Sequence, residues 1–64
     1  MKINGEKLKA VRKALDIEVK EVAIVADLTP QRINQLERGV NLRLNNNIVH
    51  AIAKLLKVKP VDLQ

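Results

Sequence analysis

Apolar residues recur at helical spacing along nearly the whole chain, and the breaks between them carry capping residues. Leu8, Val11 and Leu15 follow Asn4-Gly5, which predicts a first helix over Gly5–Leu15 with Asn4 as its N-cap. Asp16-Ile17 reads as a short connection to a second helix, Val19–Ala26, that buries Val22, Ala23 and Ala26. Asp27 interrupts it, because aspartate tolerates the left-handed conformation of a tight turn. Thr29 then offers an N-cap, Pro30 suits a first helical position, and Gly39 suits the position just past a helix end. Together they predict a third helix over Pro30–Arg38, with Ile33 and Leu36 turned inward. Val40-Asn41-Leu42-Arg43-Leu44 alternates apolar and polar residues, but no second strand exists to pair with it, so it is expected as an extended loop. Asn45-Asn46-Asn47 can cap a fourth helix, Asn46–Leu56, whose Val49, Ile52, Ala53 and Leu56 face inward. Lys54 and Lys57 complement the negative end of its dipole. A last turn, Pro60–Leu63, packs Val61 and Leu63. The expectation is an all-α, compact five-helix architecture.

Length and composition narrow what such a bundle can do. Sixty-four residues make one domain, residues 1–64, with one small core and marginal stability. The absence of cysteine removes disulfides and thiolate zinc sites. No apolar run approaches the ~20 residues of a membrane span. Met1-Lys2-Ile3-Asn4-Gly5 has no signal-peptide character, so the expected location is cytoplasmic, with no membrane partner. The chain lacks serine, cysteine and tyrosine and has one threonine, Thr29, and one histidine, His50. Neither a nucleophile–base pair nor a set of metal ligands can be assembled from these, so no enzyme activity, cofactor or metal is expected. The net charge of +5 favours a polyanionic partner. Stacking platforms for single strands are built mainly from phenylalanine, tyrosine and tryptophan, which the chain lacks entirely, so a nucleic-acid partner is expected to be duplex.

The stretch from Val19 to Arg38 forms one unit. Two short helices joined by a tight turn cross steeply only where the contact is small. Ala23 supplies the small residue, Asp27 the turn, and Leu28, Ile33 and Leu36 close the wedge. This is a helix-turn-helix arrangement, in which the second helix is presented outward to enter a groove.

The chain resembles the Cro/repressor-type (Xre-like) family of phage and plasmid regulators. The resemblance is carried by Gly5-Glu6-Lys7-Leu8-Lys9-Ala10-Val11-Arg12-Lys13, Val22-Ala23, Leu28-Thr29, Ile33 and Leu36-Glu37-Arg38-Gly39, and continues through Ile52–Leu63. It implies a lambda-repressor-like DNA-binding domain and a transcriptional repressor that reads an inverted-repeat operator in double-stranded DNA as a homodimer. The family's base-reading positions map onto Thr29, Pro30, Gln31 and Gln35. Gln31 and Gln35 carry the expected specificity, because a glutamine amide can pair with both N7 and N6 of adenine. Arg32, Asn34, Arg38 and Arg43 are the candidates for phosphate contact, with Asn45, Asn46 and Asn47, for which capping is an equal explanation. Lys2, Lys9, Lys13, Lys54, Lys57 and Lys59 are read as solvated. The resemblance also implies a largely buried ion pair between Arg12 and Glu37, and a dimer contact at Leu42 and Leu44. Val61 and Leu63 either join that contact or pack into their own domain. The chain departs from the family pattern at Glu18, Val19, Ile24, Val25 and Asp27. An apolar outer face on the second helix would suit an antitoxin that binds a toxin and autoregulates, or a protein-interaction module.

Overall fold

Each long helix starts where a side chain or neighbouring carboxylate can take up free backbone amides. The computed structural model describes residues 2–40 and 42–64. In α1 (Gly5–Ala14), Asn4 Oδ1 accepts the amides of Glu6 and Lys7 at 3.0 and 3.2 Å. Thr29 Oγ1 accepts the Arg32 amide at the start of α3 (Pro30–Glu37), and Asn45 Oδ1 accepts that of Ile48 at the start of α4 (Asn46–Leu56). At the start of α2 (Val19–Ala26) the pattern reverses: the Glu18 amide donates to Glu21 Oε2 at 2.9 Å. These bonds satisfy donors that have no partner inside the helix.

The helix ends are equally local. Asp27 (φ 55°) closes α2 and Lys57 (φ 57°) closes α4, both in the left-handed region, and Gly39 (φ 95°) follows α3. The fifth predicted element, Pro60–Leu63, forms only a single 3-10 turn. Four residues opening on a proline are too few to propagate an α-helix, so the described residues hold four α-helices and no strand.

Helix α2 lies at the centre, packed on α3 and α4, while α1 packs on α3 and the C-terminal turn bridges α1 and α4. The core is wholly aliphatic, with Leu8, Val22, Ile33, Leu36, Val49, Ile52, Leu56 and Leu63 among its fully buried side chains. The Asn4 amide donates to the Leu63 carbonyl at 2.6 Å and Lys7 Nζ to that of Gln64 at 2.7 Å, which fastens the last turn to α1. Between α1 and α3 there is no room for a side chain at Gly5: a Cβ there would collide with the Leu36 carbonyl oxygen.

Leu44, expected at a dimer contact, lies instead in the core, and Leu63 takes the second of its two expected places, inside its own domain. Leu44 is 5% exposed and Leu63 is 0% exposed, so neither offers surface to a second copy. The alternating pattern explains Leu44: in the extended segment before α4, Arg43 points to solvent and Leu44 inward, with Leu42 half-buried against the core. Asn41, in the same loop, lies outside the described residues. Of the four expected contact residues, Val61 alone is largely exposed, at 62%, so the last turn packs Leu63 but not Val61, contrary to the expectation for that residue.

Two substitutions test this packing. Gly5→Ala is expected to lose roughly 1–3 kcal/mol, because the added methyl meets backbone that cannot swing away. Thermal unfolding followed by far-ultraviolet circular dichroism reads the loss. Leu44→Glu is expected to cost about 3 kcal/mol or more, since it removes buried apolar surface and buries a charge. A variant that melts like the parent would return Leu44 to the surface.

Candidate nucleic-acid interface

Helix α3 buries Ile33, Leu36 and Glu37. At about 100° per residue, its outward face then carries Gln31, Gln35 and Arg38. Asn34 is rotated toward one flank and Arg32 toward the other, and both are exposed. Each flank is grooved. A shallow cavity of about 250 Å³ runs along Thr29, Gln31, Arg32 and Gln35. On the other side a cleft of about 330 Å³ opens between α3 and α1, lined by Asn34, Glu37, Arg38 and Lys9. Thr29 and Pro30 are exposed at the start of the helix.

What holds α3 in this orientation is a polar fastening beneath it. Arg12 Nε donates to Glu37 Oε2 at 2.7 Å and Nη2 donates to Oε1 at 2.9 Å. The remaining nitrogen, Nη1, donates to the Ile17 carbonyl at 2.9 Å. One guanidinium thereby joins α1, the α1–α2 connection and α3. The two side chains are 11% and 5% exposed, and both Glu37 oxygens are engaged. The hydrogen bond from Arg12 to Glu37 lifts the Arg12 pKa above its usual value against the cost of burial, and the Glu37 charge adds to the effect. A raised arginine pKa means that its share of the stability is present at every pH below the ordinary arginine value and fades only above it.

The other expected contact residues sit on the path from α3 to α4. Arg43 is exposed on the extended segment, and Asn45, Asn46 and Asn47 are exposed at the start of α4. The Asn45 side-chain oxygen, Oδ1, already caps its helix. Lys9, expected to be merely solvated, lines the α1–α3 cleft. The signal in the sequence is its spacing of one turn from Gly5, the point of closest approach between the two helices.

Helix α2 presents a different surface. Its first turn holds Glu18 and Glu21, with Lys20 Nζ 3.1 Å from Glu18 Oε2. Its outer side exposes Ile24 (77%) and Val25 (39%). Among the described residues, no cluster of histidine, cysteine or carboxylate side chains is placed to hold a metal ion, and no helix is long and apolar enough to cross a membrane.

A family model described as helix-turn-helix matches residues 8–63. Among solved structures, the P22 c2 repressor protein in complex with synthetic operator 9T is 26% identical, with a TM-score of 0.79 over 100% of this chain and 97% of that one. The restriction-modification controller protein C.AhdI from Aeromonas hydrophila is 22% identical, with a TM-score of 0.78 over 94% of this chain and 89% of that one. No curated protein matches the sequence.

The fastening is testable without nucleic acid. Arg12→Met leaves the Glu37 carboxylate buried and unpaired, so a loss of about 3–5 kcal/mol is expected, enough to unfold much of a domain this small. Chemical denaturation measures it, and a variant of parental stability would show that the pair does not hold the fold.

Proposed function

Because this chain belongs to the helix-turn-helix family, we propose that it is a sequence-specific regulator of transcription that binds double-stranded DNA with α3 in the major groove. The observation that carries this reading is the polar outward stripe of Gln31, Gln35 and Arg38 on a short helix whose buried side is locked to α1. A major groove about 12 Å wide admits one helix with its side chains. In that position the Gln31 and Gln35 amides meet adenine edges, and Thr29 and Pro30 lie at the helix start, near enough to touch thymine methyl groups. Arg32 and Asn34 face the two walls of the groove, and Arg38, Arg43 and Asn45–Asn47 extend the contact along the backbone. The +5 charge adds long-range attraction to the duplex. No chemistry is performed. The protein acts in the cytoplasm as a repressor by occupying a promoter.

One recognition helix reads only a few base pairs, so two copies bind an inverted repeat with half-sites one helical turn, about 34 Å, apart. With Leu44 and Leu63 committed to the core, Val61 and the open side of Leu42 are the remaining apolar candidates for the contact across the two-fold axis. A second reading rests on the exposure of Ile24 and Val25: the fold serves as an antitoxin or protein-interaction module with that α2 face toward a partner protein. Its partner binding would be insensitive to salt, whereas duplex binding is strongly salt-dependent.

Selection from a random duplex pool tests the DNA-reading role, which a pure protein-interaction module lacks, and salt-insensitive binding of a protein partner would mark the antitoxin. A palindromic consensus is the expected result, and no enrichment would remove the DNA-reading role. On the selected site, Gln31→Ala is expected to weaken binding by ~1–3 kcal/mol while leaving affinity for random duplex nearly unchanged. Equal losses on both would take Gln31 out of base recognition.

A further inference from the structure

We infer that the cleft between α1 and α3 is a binding site for a backbone phosphate of the duplex, with Lys9 as its principal cation. The inference rests on the DNA-binding reading above and extends it to a helix outside the helix-turn-helix unit. The first observation is placement. Gly5 lets the start of α1 press against the Leu36 carbonyl at the end of α3. Lys9 follows one turn later on the same side of α1, where it lines the cleft of about 330 Å³ opposite Asn34 and Arg38.

Charge is the second observation. The one acid lining the cleft, Glu37, has both oxygens engaged by Arg12, so its charge is compensated internally. Glu6, the nearest acid along α1, does not line the cleft. The terminal carbonyls of α3 are also occupied: those of Asn34 and Gln35 accept the Arg38 amide, that of Gln35 also the Val40 amide, and that of Leu36 the Gly39 amide. What remains open to solvent is Lys9, Arg38 and the amide of Asn34. Two cations and a neutral donor converge with no uncompensated acid among them. This arrangement repels itself when empty and is relieved by an anion.

The third observation is position relative to the reading face. Asn34 and Arg38 belong to the same turns of α3 as Gln35, so an anion in the cleft lies beside the base-reading stripe. With α3 in the groove, the chemistry on that side is phosphodiester. A lysine ammonium on a flexible stem, acting as a point charge, suits a phosphate whose orientation is set by other contacts. Lys9 is thus a positioning residue, fixing the depth at which α3 sits without reading a base.

The test uses a fluorescein-labelled duplex of random sequence and anisotropy titrations over a range of salt concentrations. Lys9→Gln, Lys9→Arg and Lys59→Gln all alter exposed side chains, so folding is preserved. Removing one phosphate contact is expected to reduce the slope of log affinity against log salt by about 0.9 in Lys9→Gln. Lys9→Arg is expected to keep the parental slope, and Lys59→Gln to leave it unchanged. Phosphate-ethylation interference on a selected site is expected to lose one position per half-site in Lys9→Gln. Equal slopes for Lys9→Gln and Lys59→Gln would overturn the cleft assignment while leaving the DNA-binding reading standing. A parent protein that binds no duplex at any salt would overturn both.

Discussion

The structure depends on one guanidinium. Arg12 spends all three of its nitrogens inside the protein, two on Glu37 and one on the Ile17 carbonyl. A buried ion pair is expensive to desolvate, and a hydrophobic pair of similar volume often holds a fold as well. Its contribution here is geometrical. The planar fork donates to Glu37 in a single bidentate arrangement, which sets the rotation of α3 about its own axis. Gly5 is the apolar counterpart on the same seam: the pair sets the angle and the missing side chain sets the spacing.

That seam matters because α3 is too short to look after itself. Helices under about 12 residues are marginal in isolation, and α3 runs only from Pro30 to Glu37. Thr29 and Pro30 define its start and Gly39 its end, while Ile33 and Leu36 anchor it in the core. A polar stripe held in this way loses little conformational freedom when it meets a partner, so more of each contact is available as affinity. The turn before it rests on Asp27 in the left-handed region, a conformation that costs a side-chain-bearing residue about 1–2 kcal/mol and that glycine would adopt freely.

The helix starts, being local, are legible in the sequence, whereas the last element, Pro60–Leu63, is too short for its pattern to tell a 3-10 turn from a helix. Asn4, Thr29 and Asn45 mark helix starts within a residue, because a cap and the amides it serves are neighbours in the chain. The outward stripe of α3 follows from periodicity once Ile33 and Leu36 are placed inside. The Arg12–Glu37 pair spans 25 positions, and no periodicity announces it; resemblance to a family did. Leu44, expected at the surface, is misplaced for the same reason, and the sequence leaves Leu63 open between two settings. Their burial depends on where the last loop and turn fold back, which apolar character alone does not say. Lys9 reads as merely solvated because an exposed lysine acquires a setting only when another helix comes close, and that closeness is owed to an absent side chain four residues earlier.

The aliphatic core has an optical consequence. Neither the core nor the surface contains a tryptophan, tyrosine or phenylalanine. The protein is therefore transparent outside the peptide absorption band and has no intrinsic fluorescence, so its concentration must be read from peptide bonds or nitrogen content. No benzene or indole ring current spreads its methyl resonances. The same silence makes the chain a clean background: in a variant with a single tryptophan, at exposed Val61 for example, every photon of indole emission reports on that one position.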